Sequence, residues 1–90
     1  MNQKNIIFSN HAKQQMQLRG VQEEEVISTI RGSSWKSAKR GKLSCKKRFD
    51  FGNNSPVNQQ FYQYKTVEVV FADNPTEIIV VTTKVYYHNP

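Results

Sequence analysis

Ninety residues with ten aromatic side chains and 37% hydrophobic residues predict one small globular domain, spanning residues 1–90, rather than a disordered chain. No apolar run approaches the roughly 20 residues of a membrane helix, and the N-terminus lacks the apolar stretch of a signal peptide, so we expect a cytoplasmic protein with no membrane partner. One cysteine, Cys45, and two histidines give neither an internal disulfide nor a metal-ligand spacing. The sequence therefore predicts no metal and no other cofactor.

The net charge of +6 is concentrated in one segment. Eight of the thirteen basic residues lie between positions 31 and 48, where no acidic residue occurs, namely Arg31, Lys36, Lys39, Arg40, Lys42, Lys46, Lys47 and Arg48. Such a segment attracts phosphates, an anionic membrane surface or an acidic protein partner, although it can also be a solvated loop that keeps the protein soluble. The flanking rings of Trp35 and Phe49 favour nucleic acid, since aromatic rings stack on bases.

The first third of the chain predicts a strand and two helices. Residues 6–8 form a short apolar run, after which Ser9 or Asn10 can cap a helix over residues 10–19 that ends at Gly20. Three glutamates then open a second helix that ends at Gly32. Acidic side chains are favoured at the positive end of a helix, so these glutamates indicate a helix start rather than catalytic acids.

The remainder predicts three strands. Residues 42–51 form a weak strand, and residues 61–72 and 76–87 form a hairpin whose second strand lies inside the sheet, because it is apolar on both faces. Strict alternation would place Ile78, Val80 and Thr82 on one face. The predicted order is β-α-α-β-β-β, an α+β fold with two N-terminal helices packed on a small, mainly antiparallel sheet.

His11 and Arg19 stand out in the first helix. Their spacing of eight residues places them about 80° apart around the helix and about 12 Å apart along its axis, so they cannot form a catalytic pair. His11 can bond a neighbouring backbone or strand, and a cation such as Arg19 is favoured at a helix C-terminus. Both residues therefore suit structural roles, and phosphate binding by Arg19 is the alternative.

The opening motifs resemble a known family. "SNHA", "MQLRGV" and "EEEV" are similar to the start of DUF4258 domains, which typically reads Ser-x-His-Ala-x-x-Arg-Met-x-x-Arg-Gly-Ile before a helix that begins with glutamate, and "IIVVTTKVYY" resembles that family's last strand. Gln15 stands where the family usually has its first arginine. The family is similar in layout to the BrnT and RelE class of bacterial toxins, which are small basic ribonucleases encoded beside an antitoxin. The resemblance thus implies a RelE-like fold, a metal-independent endoribonuclease and an antitoxin partner.

Metal-free RNA cleavage needs a group that takes the 2'-hydroxyl proton, cations for the phosphorane charge and a donor for the leaving oxygen. By alternation, Lys84, Tyr86 and His88 share one face of the last strand, and we predict them as catalytic residues. The predicted RNA-binding residues are Arg19, Lys39, Arg40, Lys42, Lys46, Lys47 and Arg48. Two alternatives remain, a frayed C-terminal tail with a solvent-facing histidine and a non-catalytic basic module that binds nucleic acid or an acidic protein.

Overall fold

The computed structural model describes residues 4–90, so the part of the predicted domain at residues 1–3 lies outside the described residues. It has the predicted α+β architecture and element order, with one additional two-residue strand before the long strands. The elements are β1 (Asn5–Phe8), α1 (Asn10–Arg19), α2 (Glu23–Gly32), β2 (Lys36–Ser37), a 3-10 turn (Lys39–Gly41), β3 (Leu43–Asn54), β4 (Phe61–Asp73) and β5 (Glu77–His88). Within residues 4–90, neither helix is long and apolar enough to cross a membrane.

The five strands form one sheet in the order β1-β5-β4-β3-β2. β1 runs parallel to β5, and every other neighbouring pair is antiparallel, so the sheet is mainly antiparallel as predicted. β5 lies inside the sheet beside β4, also as predicted. β1 is only four residues long, however, and covers just the first part of the outer edge of β5.

A β-bulge in β5 overturns the predicted alternation of its first half. The register of β5 against β4 shifts by one residue between Val80 and Thr82, which leaves Val81 as the extra residue. One extra residue exchanges the two faces of a strand. Val80 and Thr83 are therefore both buried on the face that packs against the helices, and the prediction that Thr82 shares a face with Val80 is wrong.

Both helices pack on the same face of the sheet, and the core lies between the two layers. Its buried hydrophobic residues are Ala12, Met16, Val21, Val26, Ile30, Cys45, Val67, Val69, Phe71, Ile78 and Val80. Lys65 is also buried on this face, where its Nζ bonds Glu25 at 2.9 Å and the carbonyl oxygen of Gly20 at 3.1 Å. Among residues 4–90, no helix packs on the opposite face of the sheet, which we call the helix-free face.

Local signals set the helix boundaries as the sequence indicated. Ser9 Oγ accepts a hydrogen bond from the backbone N–H of Ala12 at 3.1 Å, which is the predicted N-cap of α1. α1 ends at Gly20, whose φ of 74° is a left-handed conformation that favours glycine. A Cβ at Gly20 would also lie 2.6 Å from Pro56 Cγ and 2.9 Å from the Tyr87 hydroxyl, so no larger residue fits there. At the start of α2, Glu25 accepts from the backbone N–H of Gln22 at 2.9 Å, which confirms the glutamates as helix-start residues.

Candidate nucleic-acid interface

The helix-free face of the sheet gathers charged and proton-exchanging side chains from three strands. Pairing between strands aligns Lys46 with Glu68 and Lys84, and Arg48 with Thr66 and Tyr86, while Tyr64 pairs with His88. These residues alternate with the buried ones along each strand, so their side chains lie on the face opposite the core. We call them the outer-face cluster, which comprises Lys46, Arg48, Tyr64, Thr66, Glu68, Lys84, Tyr86 and His88.

His88 is held in place by contacts that cross to β4. Its Nε2 lies 3.0 Å from Thr66 Oγ1, and its ring centroid lies 5.7 Å from that of Tyr64. Arg48 on β3 places its guanidinium 4.5 Å from the Tyr64 ring centroid, a cation–π contact. Imidazole, hydroxyl and guanidinium groups of three different strands are thereby brought into one patch.

A second contact joins Tyr86 to Glu68. The Tyr86 hydroxyl donates to Glu68 Oε1 at 3.0 Å, although the Tyr86 side chain remains 49% exposed. This hydrogen bond, aided by slight burial, raises the pKa of Tyr86 above its ordinary value. The phenol therefore keeps its proton at neutral pH and can serve as a hydrogen-bond donor but not as a base.

Glu68, which is not among the residues predicted from the sequence, lies between Lys46 and Lys84 in the strand register. The sequence does indicate that the Glu68 side chain points outward, because Glu68 is flanked by Val67 and Val69 in a strand of alternating pattern. A carboxylate at an outward position of such a strand faces away from the core. A carboxylate between two lysines can accept a proton from a substrate that those cations hold.

The predicted RNA-binding residues of β3 divide between the two faces. Lys46 and Arg48 are exposed on the helix-free face, whereas Lys47 lies on the helix side, where its Nζ donates to Ser28 Oγ at 2.8 Å. The division follows from strand geometry, since successive side chains point to opposite faces. Lys47 is therefore not brought together with its two neighbours in sequence.

Three further predicted RNA-binding residues lie at the β2 side of the sheet. Lys39 and Arg40 are exposed in the 3-10 turn, and Lys42 follows it partly buried. Arg40 adopts a left-handed backbone with φ of 59°. These three residues form an extension of positive charge at the margin of the sheet rather than part of the outer-face cluster.

Arg19 is engaged at the opposite edge of the sheet. Its Nη1 donates to the carbonyl oxygen of Thr83 at 2.5 Å, and Gln15 Oε1 accepts from the backbone N–H of Thr83 at 2.9 Å. Two side chains of α1 thus satisfy the backbone of β5 just beyond the point where β1 ends. The charge of Arg19 also acts on Tyr86, whose pKa it lowers by less than Glu68 raises it. His11, by contrast, is an exposed residue of the first turn of α1.

The two aromatic residues that flank the basic segment do not present their rings to the outer face. The Trp35 ring packs edge-on against Phe71, with ring centroids 4.9 Å apart, and its Nε1 donates to the carbonyl oxygen of Ile30 at 2.8 Å. Phe49 is partly buried against the core. The expectation that these two rings stack on bases is therefore not supported, and the aromatic rings of the outer-face cluster are those of Tyr64 and Tyr86.

Within residues 4–90, no three His, Cys, Asp or Glu side chains converge as ligands for a metal ion. Comparison of the chain with curated proteins and with solved structures gave no match in either case. The model of the family DUF4258, described as a domain of unknown function, matches residues 8–85. This match spans most of the chain, including the helical motifs and six of the eight residues of the outer-face cluster, and the chain therefore belongs to the DUF4258 family. Tyr86 and His88 lie beyond the matched residues.

Proposed function

We propose that the outer-face cluster binds RNA and cleaves it without a metal, in the manner of RelE/BrnT-like toxins. The observation that carries the proposal is the strand register, which places Lys84, Tyr86 and His88 in one patch with Glu68 and Arg48. Side chains that accept protons, donate protons and hold phosphates are thus brought together on an open, helix-free surface. The likeness to that toxin class adds a fold-level analogy, which by itself does not fix a function.

The cleavage step assigns one role to each group. Glu68 accepts the proton of the 2'-hydroxyl, whose oxygen forms a bond to the adjacent phosphorus as the bond from phosphorus to the 5'-oxygen breaks. His88 donates a proton to the leaving 5'-oxygen, and exchange with water then restores both side chains. The products are a 2',3'-cyclic phosphate and a free 5'-hydroxyl.

The spacing of Thr66 and Glu68 on β4 is compatible with a proton donor at His88 and a proton acceptor at Glu68. Thr66, which contacts His88, and Glu68 are two residues apart on one strand, or about 6.6 Å. The His88 imidazole, through its contact with Thr66, therefore lies near the outward position next to Glu68, where both groups can contact one bound phosphodiester. Lys84 stabilises the charge that develops on the phosphorane, and the protonated Tyr86 hydroxyl orients the Glu68 carboxylate.

Affinity for RNA comes from the exposed cations. Lys46, Arg48 and Lys84 bind backbone phosphates within the cluster, and Lys39, Arg40 and Lys42 extend the contact beyond it. We further propose that the protein acts in the cytoplasm and that an antitoxin protein inhibits it, as in the toxin class that it resembles.

Cleavage products test the enzymatic proposal. RNA incubated with the purified protein in the presence of a chelator should be cut and carry 2',3'-cyclic phosphate ends. His88→Ala and Glu68→Gln should each slow cleavage by roughly 100-fold or more while RNA affinity stays near the parent value. His11→Ala serves as the control for His88→Ala, since His11 does not belong to the outer-face cluster. Cleavage that persists in both active-site variants, or that is absent from the parent with free RNA and with ribosomes, would refute the enzyme.

The salt dependence of RNA binding tests the interface separately. The logarithm of affinity should fall steeply with the logarithm of salt concentration, and Lys46→Ala and Arg48→Ala should each reduce the slope by about 1. Lys47→Ala is the matched control, because its ammonium group bonds Ser28 on the helix side and should leave the slope unchanged. Equal slopes in all three variants would place the contact elsewhere.

A non-catalytic module that binds nucleic acid or an acidic protein partner is the second candidate. It is favoured by the engagement of His88 with Thr66 and of Tyr86 with Glu68, since such contacts between strands also stabilise a sheet. A steep salt dependence without any cleavage would select this candidate.

A further inference from the structure

The edge of β3 is left open because β2 is short. β2 pairs only with Leu43 and Ser44, and from Lys46 onwards no strand of the described residues lies on the side of β3 away from β4. The chain reaches β2 directly from α2 through Trp35, whose ring turns inward to pack on Phe71. A sheet edge of this kind offers backbone N–H and C=O groups to an added strand.

Alternation identifies the backbone groups that point outwards. The carbonyl oxygen of Lys42 accepts from the backbone N–H of Ala38 at 2.8 Å, so even-numbered residues here direct their N–H and C=O towards β2. Lys46, Arg48 and Asp50 continue this series where β2 no longer covers the edge. All three residues are exposed, and they precede the register shift that begins after Asp50. The open edge therefore consists of residues 46–50.

The charges along this edge determine which kind of added strand would be favoured. On the outer face, a strand added to the edge would place its side chains beside those of Lys46 and Arg48, and then beside Asp50. In an antiparallel second copy of β3 centred on Arg48, Lys46 would lie opposite Asp50 but the two Arg48 cations would lie opposite each other, which is unfavourable, so a second copy does not satisfy all of these cations. An acidic segment would pair with them, and apolar residues at its alternate positions would lie beside the half-buried Phe49 on the helix face.

We propose that the open edge of β3 binds an extended acidic segment of a protein partner as an antiparallel strand. The charge order predicts the segment's sequence from its N-terminus as a neutral or basic residue, an apolar residue, glutamate, an apolar residue and glutamate. The first of these lies opposite Asp50, and the two glutamates lie opposite Arg48 and Lys46. Lys46 and Arg48 also belong to the proposed RNA interface, but the strand hydrogen bonds use backbone groups that RNA binding does not use, so amide exchange at this edge tests the interaction separately from the ribonuclease activity.

Hydrogen exchange on the full chain tests the proposal. The probe is a synthetic peptide with capped ends that contains Ser-Val-Glu-Val-Glu, and its binding should slow amide exchange at Lys46, Arg48 and Asp50. Exchange at Val85, whose backbone lies on the edge of β5, should not change. Slowed exchange at Val85 alone, or exchange at β3 that slows with protein concentration before any peptide is added, would overturn the proposal, the latter in favour of a second copy.

Modified peptides separate strand addition from simple charge attraction. Methylation of the two glutamate nitrogens removes the N–H groups that would bond β3 and should weaken binding by at least about tenfold. Methylation of the valine nitrogens, which point away from β3, should leave hydrogen bonding to the edge intact and serves as the matched control. The reversed sequence should bind more weakly, since it sets a glutamate opposite Asp50. Equal affinity of all four peptides would show attraction by charge alone and overturn the proposal.

Charge exchange in the protein completes the test. Lys46→Glu combined with Arg48→Glu should abolish binding of the acidic peptide, and replacement of the peptide's glutamates by lysines should restore it. Lys13→Glu combined with Arg31→Glu changes the net charge equally on other parts of the molecule and should keep most of the affinity. Loss of binding in this control to the same degree would refute a site at β3.

Discussion

Arg19→Ala should destabilise the domain, because Arg19 completes the hydrogen bonding of an unpaired part of β5. β1 pairs with β5 only as far as Val80, and Ser9 bonds the carbonyl oxygen of Val80 at 3.0 Å. The next outward-facing backbone groups belong to Thr83, and they bond Gln15 and Arg19 instead of a strand. The side chains of α1 therefore act in place of a longer β1.

The magnitude follows from this one hydrogen bond. A bond from a charged donor contributes about 1.5–3 kcal/mol, and water can partly replace it here because Arg19 is only half-buried. We therefore expect a loss of about 1–2 kcal/mol, which for a domain of this size lowers the Tm by about 5–15 °C. Arg19→Lys, which keeps the charge but lacks the planar guanidinium, should fall between the alanine variant and the parent.

Thermal unfolding followed by circular dichroism measures the effect, and RNA affinity is measured on the same samples. Lys13→Ala is the control, since Lys13 is an exposed cation of the same helix. If Arg19 instead binds phosphate, Arg19→Ala should keep its Tm and lose RNA affinity as Lys46→Ala does. That result would refute the structural role assigned to the Thr83 contact.

Four further predictions concern the core and the contacts of α1 with Thr83. Gln15→Arg restores the residue usual in the family but removes the acceptor of the Thr83 N–H, so it should lower the Tm, whereas Gln15→Glu should preserve it. Glu25→Ala leaves the buried Lys65 ammonium without its carboxylate partner. It should lower the free energy of unfolding, measured by urea denaturation, by about 3–5 kcal/mol. Thr83→Val should be neutral or stabilising by about 1 kcal/mol, because within the described residues Thr83 Oγ1 is buried and has no partner, and a lower Tm would contradict this. Burial raises the pKa of the Cys45 thiol from 9.0 to about 11, so iodoacetamide should alkylate only the unfolded chain. Between pH 9 and pH 11 the thiol ionises in the unfolded state but not in the folded state. The free energy of unfolding should therefore fall as the pH rises through this range.

The contacts also give a physical meaning to the opening motif of the family. Ser9 caps α1, Gly20 ends it beside Pro56 and Tyr87, and Glu25 both caps α2 and pairs with Lys65. Tyr87 reinforces the joint by donating its hydroxyl proton to the carbonyl oxygen of Arg19 at 2.6 Å. The motif thus fastens the two helices to the sheet, and the outer-face cluster lies on the other side.

The element order and most helix boundaries can be predicted from the sequence. Helix caps, left-handed glycines and helix-start glutamates form contacts with residues only a few positions away. The helix boundaries that they set can therefore be predicted from the sequence. Two-residue alternation likewise placed Lys84, Tyr86 and His88 on one face, because these residues all follow the bulge at Val81.

Contacts between residues far apart in the chain cannot be predicted from local sequence patterns. The bulge at Val81 exchanged the faces of β5, and strand pairing set Glu68 between Lys46 and Lys84, residues distant in sequence. Lys47 can be placed on the helix side only if it is known which face of the sheet the helices cover. The contact of Arg19 with Thr83 can be predicted only if it is known where β1 ends. Local patterns encode backbone conformation, whereas the partner of a side chain depends on register and layer packing, which segments far apart in the chain establish together.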